Sequence, residues 1–251
     1  MSTKDDMGDR FKGYEDVNRI HLTRRMPCII RVDGRAFHTL TADMVRPWDS
    51  GMIAAMTRTA LYLCENIQNA RLAYVQSDEI SILLTDYARL NTEAWFDKNL
   101  QKMVSISAAM ATLAFNKEIR EYYPRKEGMF DSRAFCVPRE DVNNYFYWRQ
   151  KDATRNSVQM LARTHFSHKS LHGLNNSQLQ EKLHAEKGII WNDTPTHKKR
   201  GACVRKMGDY VNASETQGNL TVPIRWGIDY KIPQFNQYPT YVNSLLLSED
   251  E

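Results

Sequence analysis

Residues 72–85 read LAYVQSDEISILLT. Two apolar runs, 72–76 and 80–85, flank the polar triplet Ser77-Asp78-Glu79, the pattern of a β-hairpin with carboxylates at its tip. Working back from it, residues 50–68 place Met52, Ile53, Met56, Ala60, Leu63, Cys64 and Ile67 at helical spacing, with Ser50 as a cap. Before that helix, residues 26–32 (MPCIIRV) predict a buried strand ending at Asp33-Gly34. Working forward, residues 93–117 predict a second long helix with Met103 and Phe115 in the core. Residues 132–137 (SRAFCV) then predict a strand stopped by Pro138. The order strand, helix, strand, strand, helix, strand is that of two split βαβ units. It predicts an α+β, ferredoxin-like fold: an antiparallel sheet with both helices on one face and the first and third strands innermost. Residues 139–187 read as mostly helical, and 200–206 and 219–231 as further strands. The expected division is a core over 1–138 and a basic helical and strand extension over 139–251, integrated with the core.

Composition narrows the class. The chain has 251 residues, 42% hydrophobic and 25% charged, with a mean hydropathy of −0.58, which argues against a disordered or membrane-spanning protein. Cys28, Cys64, Cys136 and Cys203 are widely spaced with no CxxC pair, so a zinc knuckle or disulfide scaffold is not expected. Reduced thiols and a charged N-terminal segment without an apolar leader predict a cytoplasmic protein without a membrane partner. The formal charge of +4 is unevenly spread: residues 139–206 carry 13 basic and 6 acidic side chains, whereas 1–138 carry 19 and 18. The basic segment also holds five of the seven histidines and the run Tyr145, Phe146, Tyr147, Trp148. Charge and stacking groups together suggest a surface for nucleic-acid phosphates and bases; a solvated basic face is the simpler alternative.

Asp33 and Asp78 carry the chemistry. In the expected sheet the end of the first strand lies beside the hairpin tip, so the two carboxylates can converge. Hard divalent cations take oxygen ligands, and two such ions can hold the attacking and departing oxygens of a phosphoryl transfer. The Gly34 carbonyl adds a further oxygen. Taken singly, Asp33-Gly34 reads more readily as an ordinary post-strand turn and Asp78-Glu79 as an ordinary hairpin turn. His165, His168 and His172 suggest zinc by type, but no fourth ligand is evident, and a basic RNA-facing helix is the preferred reading.

Four segments, IIRVDGRAFHTLT at 29–41, QSDEISILL at 76–84, FDSRAF at 130–135 and YWRQKDATRNSV at 147–158, resemble in order and spacing the tRNA(His) guanylyltransferase family of 3′-to-5′ nucleotidyltransferases. The resemblance implies a polymerase-type or cyclase-type palm. It also implies two Mg2+ ions held by Asp33, Asp78 and the Gly34 carbonyl, with Glu79 as adjacent support and ATP, GTP or another nucleoside triphosphate as substrate. Gly34, Arg35, Ala36, Phe37 and His38 would cradle the triphosphate, while Arg31, Arg46, Ser77, Lys98 and Lys102 are further candidates for phosphate contact. Arg149, Gln150, Asp152, Arg155 and Asn156 would contact tRNA or hold the part that does. A homotetramer is implied as well.

Two departures refine this. Arg46-Pro47 stands where the family has Lys-Pro, and arginine keeps the charge but cannot act as an acid or base. The HINNLYN motif that follows WRQxD in eukaryotic members is replaced here by residues 153–159, ATRNSVQ. The sequence therefore resembles the bacterial and archaeal like-protein branch, which restores truncated tRNA 5′ ends by templated addition after ATP-dependent activation. Non-templated guanylation, a palm-fold nucleotide cyclase and a non-catalytic RNA-binding protein are the alternatives.

Overall fold

The computed structural model describes residues 6–207 and 224–247. Six strands form one antiparallel sheet in the order β4-β1-β3-β2-β5-β6: β1 Cys28–Arg35, β2 Ala70–Gln76, β3 Glu79–Leu84, β4 Met129–Cys136, β5 Ala202–Met207 and β6 Arg225–Asp229. The first four strands have the order of the split βαβ arrangement, with β1 and β3 innermost. An N-terminal helix, α1 (Asp6–Asp16), precedes them. Helices α2 (Ser50–Asn66) and α3 (Leu100–Ile119) lie on one face of the sheet.

The caps explain where the helices begin. Asp49, not Ser50, caps α2, its carboxylate accepting from Met52 N at 2.8 Å and Val45 N at 3.2 Å, and it also accepts from the Tyr123 hydroxyl. Asn99 caps α3, so the expected helix over 93–117 splits into a short turn at Trp95–Lys98 and a helix that runs on to Ile119. Glu79 is not part of the hairpin turn; it is the first residue of β3, paired with Gln76 and Asp33.

The central strands are apolar on both faces because both are covered. Cys28, Ile30, Val32, Ile80 and Ile82 pack against Met56, Leu63, Met103 and Phe115 of α2 and α3. Ile29, Leu72, Tyr74 and Leu83 pack on the other face against Val142 and Phe146 of α4 (Val142–His165) and against Ile232, Phe235, Val242 and Leu246. The C-terminal segment thus completes the core. The expected strand over 219–231 lies partly outside the described residues; its described portion is β6. A third cluster, with Val158, Leu161, Leu179, Leu183 and Trp191, joins α4 to α5 (Asn176–Lys187).

The aromatic run 145–148 is mostly interior. Phe146 is buried, the Tyr145 hydroxyl is hydrogen-bonded to Ser81 Oγ at 2.8 Å, and only Trp148 is open to solvent. The three histidines are not on one helix, because α4 ends at His165 and a separate turn begins at His168; all three are exposed.

A buried ion pair ties α4 to the sheet. Arg149 donates to Glu79 through Nε and Nη2, both at 2.7 Å, and Nη2 also reaches Asp152 at 3.2 Å. Burial pushes the Glu79 carboxyl above its ordinary 4.5 while Arg149 and Arg31 draw it back. Such a pair adds little net stability, but removing one partner strands a buried charge. Arg149→Met is expected to lower unfolding stability by about 3 kcal/mol or more, measured by urea denaturation at neutral pH, and Arg149→Met/Glu79→Leu to recover much of the loss.

Candidate active site

β1 ends in Asp33-Gly34-Arg35, and the β2–β3 hairpin turns at Ser77-Asp78. The two segments are joined directly, since Gly34 N donates to the Asp78 carbonyl at 3.0 Å. Asp33 is register-paired with Glu79 on one side and Asp131 on the other, so these three side chains leave the sheet on one face. Burial raises the Asp78 carboxyl above its ordinary 3.8, and the nearby Asp33 charge raises it further against hydrogen bonds that lower it. The two carboxylates are therefore close enough to repel.

Local backbone geometry aims both segments. Ala36 and Ser77 adopt left-handed conformations, with φ of 56° and 49°, although neither is glycine. Strain of this kind persists only where surrounding structure imposes it. Gly34 is required by a close approach: a Cβ there would lie 2.4 Å from the Phe37 ring, which is buried against Phe115 and Phe130.

A cleft of about 520 Å³ opens from these turns. One wall is Gly34, Ala36, Phe37, His38 and Arg46; the floor is Gln76, Ser77 and Asp78; α4 contributes Asn156, Gln159, Met160 and Arg163; and the turn Thr196–Arg200 contributes His197, Lys198 and Lys199. Burial beside Lys198 lowers the His197 pKa, so that imidazole is biased toward its neutral form. Gly201 closes this wall with φ of 81°, where a Cβ would meet the Val75 carbonyl at 2.3 Å.

Not every candidate reaches the cleft. Arg35, the exposed last residue of β1, does not line it. Arg31 lies deeper in the sheet, near Glu79, with its buried Nε unpartnered. Lys98 is at the opposite end of β1, donating to the Thr23 and Met26 carbonyls at 2.6 and 2.7 Å and paired with Asp86 at 3.1 Å. Lys102, in the first turn of α3, is remote with it. Both lysines are corrected from phosphate contacts to features of the far end, because the polypeptide leaving β3 crosses there before α3 begins. Arg149 is 8% exposed and committed to Glu79, and Gln150 holds the C-terminal segment by donating to Pro233 O at 2.9 Å and accepting from Phe235 N at 3.0 Å. These two position α4 and are not a free RNA surface. Asp152 bridges Arg149 and Arg155. Arg163, His197 and Lys198 were missed; the basic run 197–200, HKKR, was the signal available.

A second hollow of about 500 Å³ lies on the outer side of α4, lined by Trp148, Lys151, Arg155 and Arg200 among others. Arg149 stacks against the Trp148 ring at 4.5 Å.

The family model of tRNAHis guanylyltransferase (Thg1) matches residues 8–138. The chain belongs to that family. Among solved structures, a bacterial tRNA(His) guanylyltransferase (Thg1)-like protein in complex with ATP superposes with a TM-score of 0.88 at 44% identity, over 96% of this chain and 99% of that one. A bacterial Thg1-like protein in complex with GTP superposes with a TM-score of 0.79 at 40% identity, over 96% and 99%. A probable tRNA(His) guanylyltransferase of Dictyostelium discoideum is 27% identical over 205 residues, 75% of this chain and 78% of that one. The bond from Gly34 to Asp78 puts the candidate site of this tRNA guanylyltransferase-like nucleotidyltransferase at one end of its antiparallel sheet. No helix among the described residues is long and apolar enough to cross a membrane.

The raised Asp78 pKa has a stability consequence in this guanylyltransferase-like chain. The folded state holds the Asp78 proton more tightly than the unfolded one, so this group lowers stability as pH rises from the ordinary 3.8 through the raised value, and the loss persists above it. Asp78→Asn is expected to unfold at a higher temperature than the parent at pH 7. The gap should shrink as pH falls toward 3.8, read by calorimetry across that range.

Proposed function

We propose that this protein is a metal-dependent 3′-to-5′ nucleotidyltransferase that restores 5′-truncated tRNA by templated addition, with ATP activating a 5′-monophosphate. The observation that carries it is the bond from Gly34 N to the Asp78 carbonyl, which joins the Asp33-Gly34 and Ser77-Asp78 turns beside a cleft that Gly34, Ser77 and Asp78 line and to which Arg46, Arg163 and Lys198 bring positive charge. The ATP and GTP complexes of its structural relatives support a nucleoside triphosphate as occupant.

Two Mg2+ ions fit the donors present: half-buried Asp33 and Asp78, whose mutual repulsion a cation would relieve, and the Gly34 carbonyl. When bound, they would neutralise triphosphate charge and favour ionisation of the attacking hydroxyl. The chain's own part is alignment. The turn from Gly34 to His38 would hold the triphosphate, and Arg46, Arg163 and Lys198 would offset its charge. Arg46 serves as a fixed cation because guanidinium does not shed its proton. Phosphoryl transfer needs little covalent help from side chains, so positioning and charge compensation suffice. In this reading residues 1–138 form a palm-like catalytic core and 139–251 the basic RNA-binding extension of a cytoplasmic homotetramer. Trp148, Lys151, Arg155 and Arg200 would supply stacking and phosphate contacts.

Non-templated guanylation of tRNA(His) is the second reading, favoured by the names of the curated relatives. The replacement of HINNLYN by ATRNSVQ argues against it. Purified protein given tRNA lacking its first nucleotide, with the opposing base varied, separates the two: templated repair adds only the complementary nucleotide, and guanylation adds G whatever lies opposite. Asp33→Asn and Asp78→Asn should each reduce addition by about a thousandfold, the scale of losing a preorganised electrostatic group, without loss of folding. Arg155→Ala should weaken tRNA binding and reduce the slope of log affinity against log salt by about 0.9, the share of one phosphate contact.

A further inference from the structure

At the end of the sheet farthest from the cleft, Cys28 of β1 and Cys136 of edge strand β4 are direct cross-strand partners. Val137 N donates to the Pro27 carbonyl at 3.1 Å, so 27 and 137 form a hydrogen-bonded pair. Hydrogen-bonded and non-hydrogen-bonded pairs alternate along an antiparallel ladder, which makes 28 and 136 a non-hydrogen-bonded pair, the kind with Cα atoms about 4.5 Å apart. That spacing is within the disulfide range of about 4.4–6.8 Å. As direct partners the two side chains leave the ladder on the same face, with Cys28 Sγ donating to the Ile29 carbonyl at 3.9 Å and Cys136 Sγ to the Thr23 carbonyl at 3.5 Å.

Their surroundings differ. Cys28 is fully buried, whereas Cys136 is partly open. Lys98 Nζ lies 4.0 Å from Cys136 Sγ. The hydrogen bond with Cys28, aided by the Lys98 charge and opposed by burial and Asp86, brings the Cys136 pKa down to about 7. The same hydrogen bond, with burial, raises that of Cys28. Cys64 and Cys203 are both buried and raised. One thiol is thus accessible and easily ionised, with a protonated partner behind it, the arrangement of an attacking and a resolving cysteine.

We propose that Cys136 and Cys28 form a peroxide-reactive dithiol, a modification site separate from the nucleotidyltransferase cleft. The Cys136 thiolate attacks one peroxide oxygen; the O–O bond breaks, the departing hydroxide takes a proton to become water, and Cys136 is left as a sulfenic acid. Cys28 sulfur then attacks Cys136 sulfur, the S–O bond breaks, and the Cys28 proton leaves with that oxygen as a second water. Two thiols supply the two electrons that reduce one peroxide. The product staples the edge strand to the centre of the sheet.

The test uses the full chain and hydrogen peroxide. After treatment, alkylation of remaining thiols in denaturant and proteolysis, mass analysis should find a Cys28–Cys136 cross-linked peptide that dithiothreitol reverses, with Cys64 and Cys203 alkylated. Cys28→Ser with dimedone present should carry the adduct at Cys136, and iodoacetamide at pH 7 should label native Cys136 at least about tenfold faster than either buried thiol. Recovery of Cys136 as a free thiol after peroxide, or oxidation first at Cys64 or Cys203, would overturn the proposal even if the unsubstituted chain is the only one that folds.

Discussion

Six residues of β1 pair with six of β3, from Cys28 against Leu84 to Asp33 against Glu79, and the Gly34 to Asp78 hydrogen bond continues the contact into the turn. This pairing brings together two aspartates that are distant along the chain. Side chains alternate between faces with a period of two, so a one-residue slip would turn Asp33 into the α2–α3 core and move Val32 to the opposite face. The packing of Ile30, Val32, Ile80 and Ile82 against α2 and α3, which such a slip would break, thereby holds the carboxylates in place.

Against that scaffold the site is energetically unfavourable by itself. Asp78 is held partly desolvated beside Asp33, Ala36 and Ser77 sit in left-handed backbone conformations, and Glu79 is buried under α4. Each costs free energy, and each is tolerated because the sheet is packed on both faces. Arg149 is the link between the halves: it compensates Glu79 at the base of the carboxylate row and fixes α4, which then presents Asn156, Met160 and Arg163 to the cleft. A residue read in sequence as a possible RNA contact is an internal brace, and its charge serves the sheet.

The basic extension divides in two for the same reason. Amphipathic packing takes Tyr145 and Phe146 into the interior and leaves Trp148, Lys151 and Arg155 on the outer side of α4. Lys198 and His197, from the later turn, face the cleft instead. One segment with a basic excess therefore presents charge to two separate hollows.

Local sequence determined the hairpin at 72–85, the order of the first four strands, the two helices on one face and the approach of Asp33 to Asp78, because hydrophobic runs, turn residues and short-range pairing act within a few residues or between neighbouring strands. Family membership was legible in the DGR and SDE segments together with WRQxD. Tertiary structure alone decided what each charge does. Lys98 and Lys102 went to the far end, Arg149 and Gln150 into internal bonds, and His197 and Lys198 into the cleft, since these depend on which element packs against which across many tens of residues of chain. A charge and its sign can be read from one residue, but its partner is set by the packing of elements far apart along the chain.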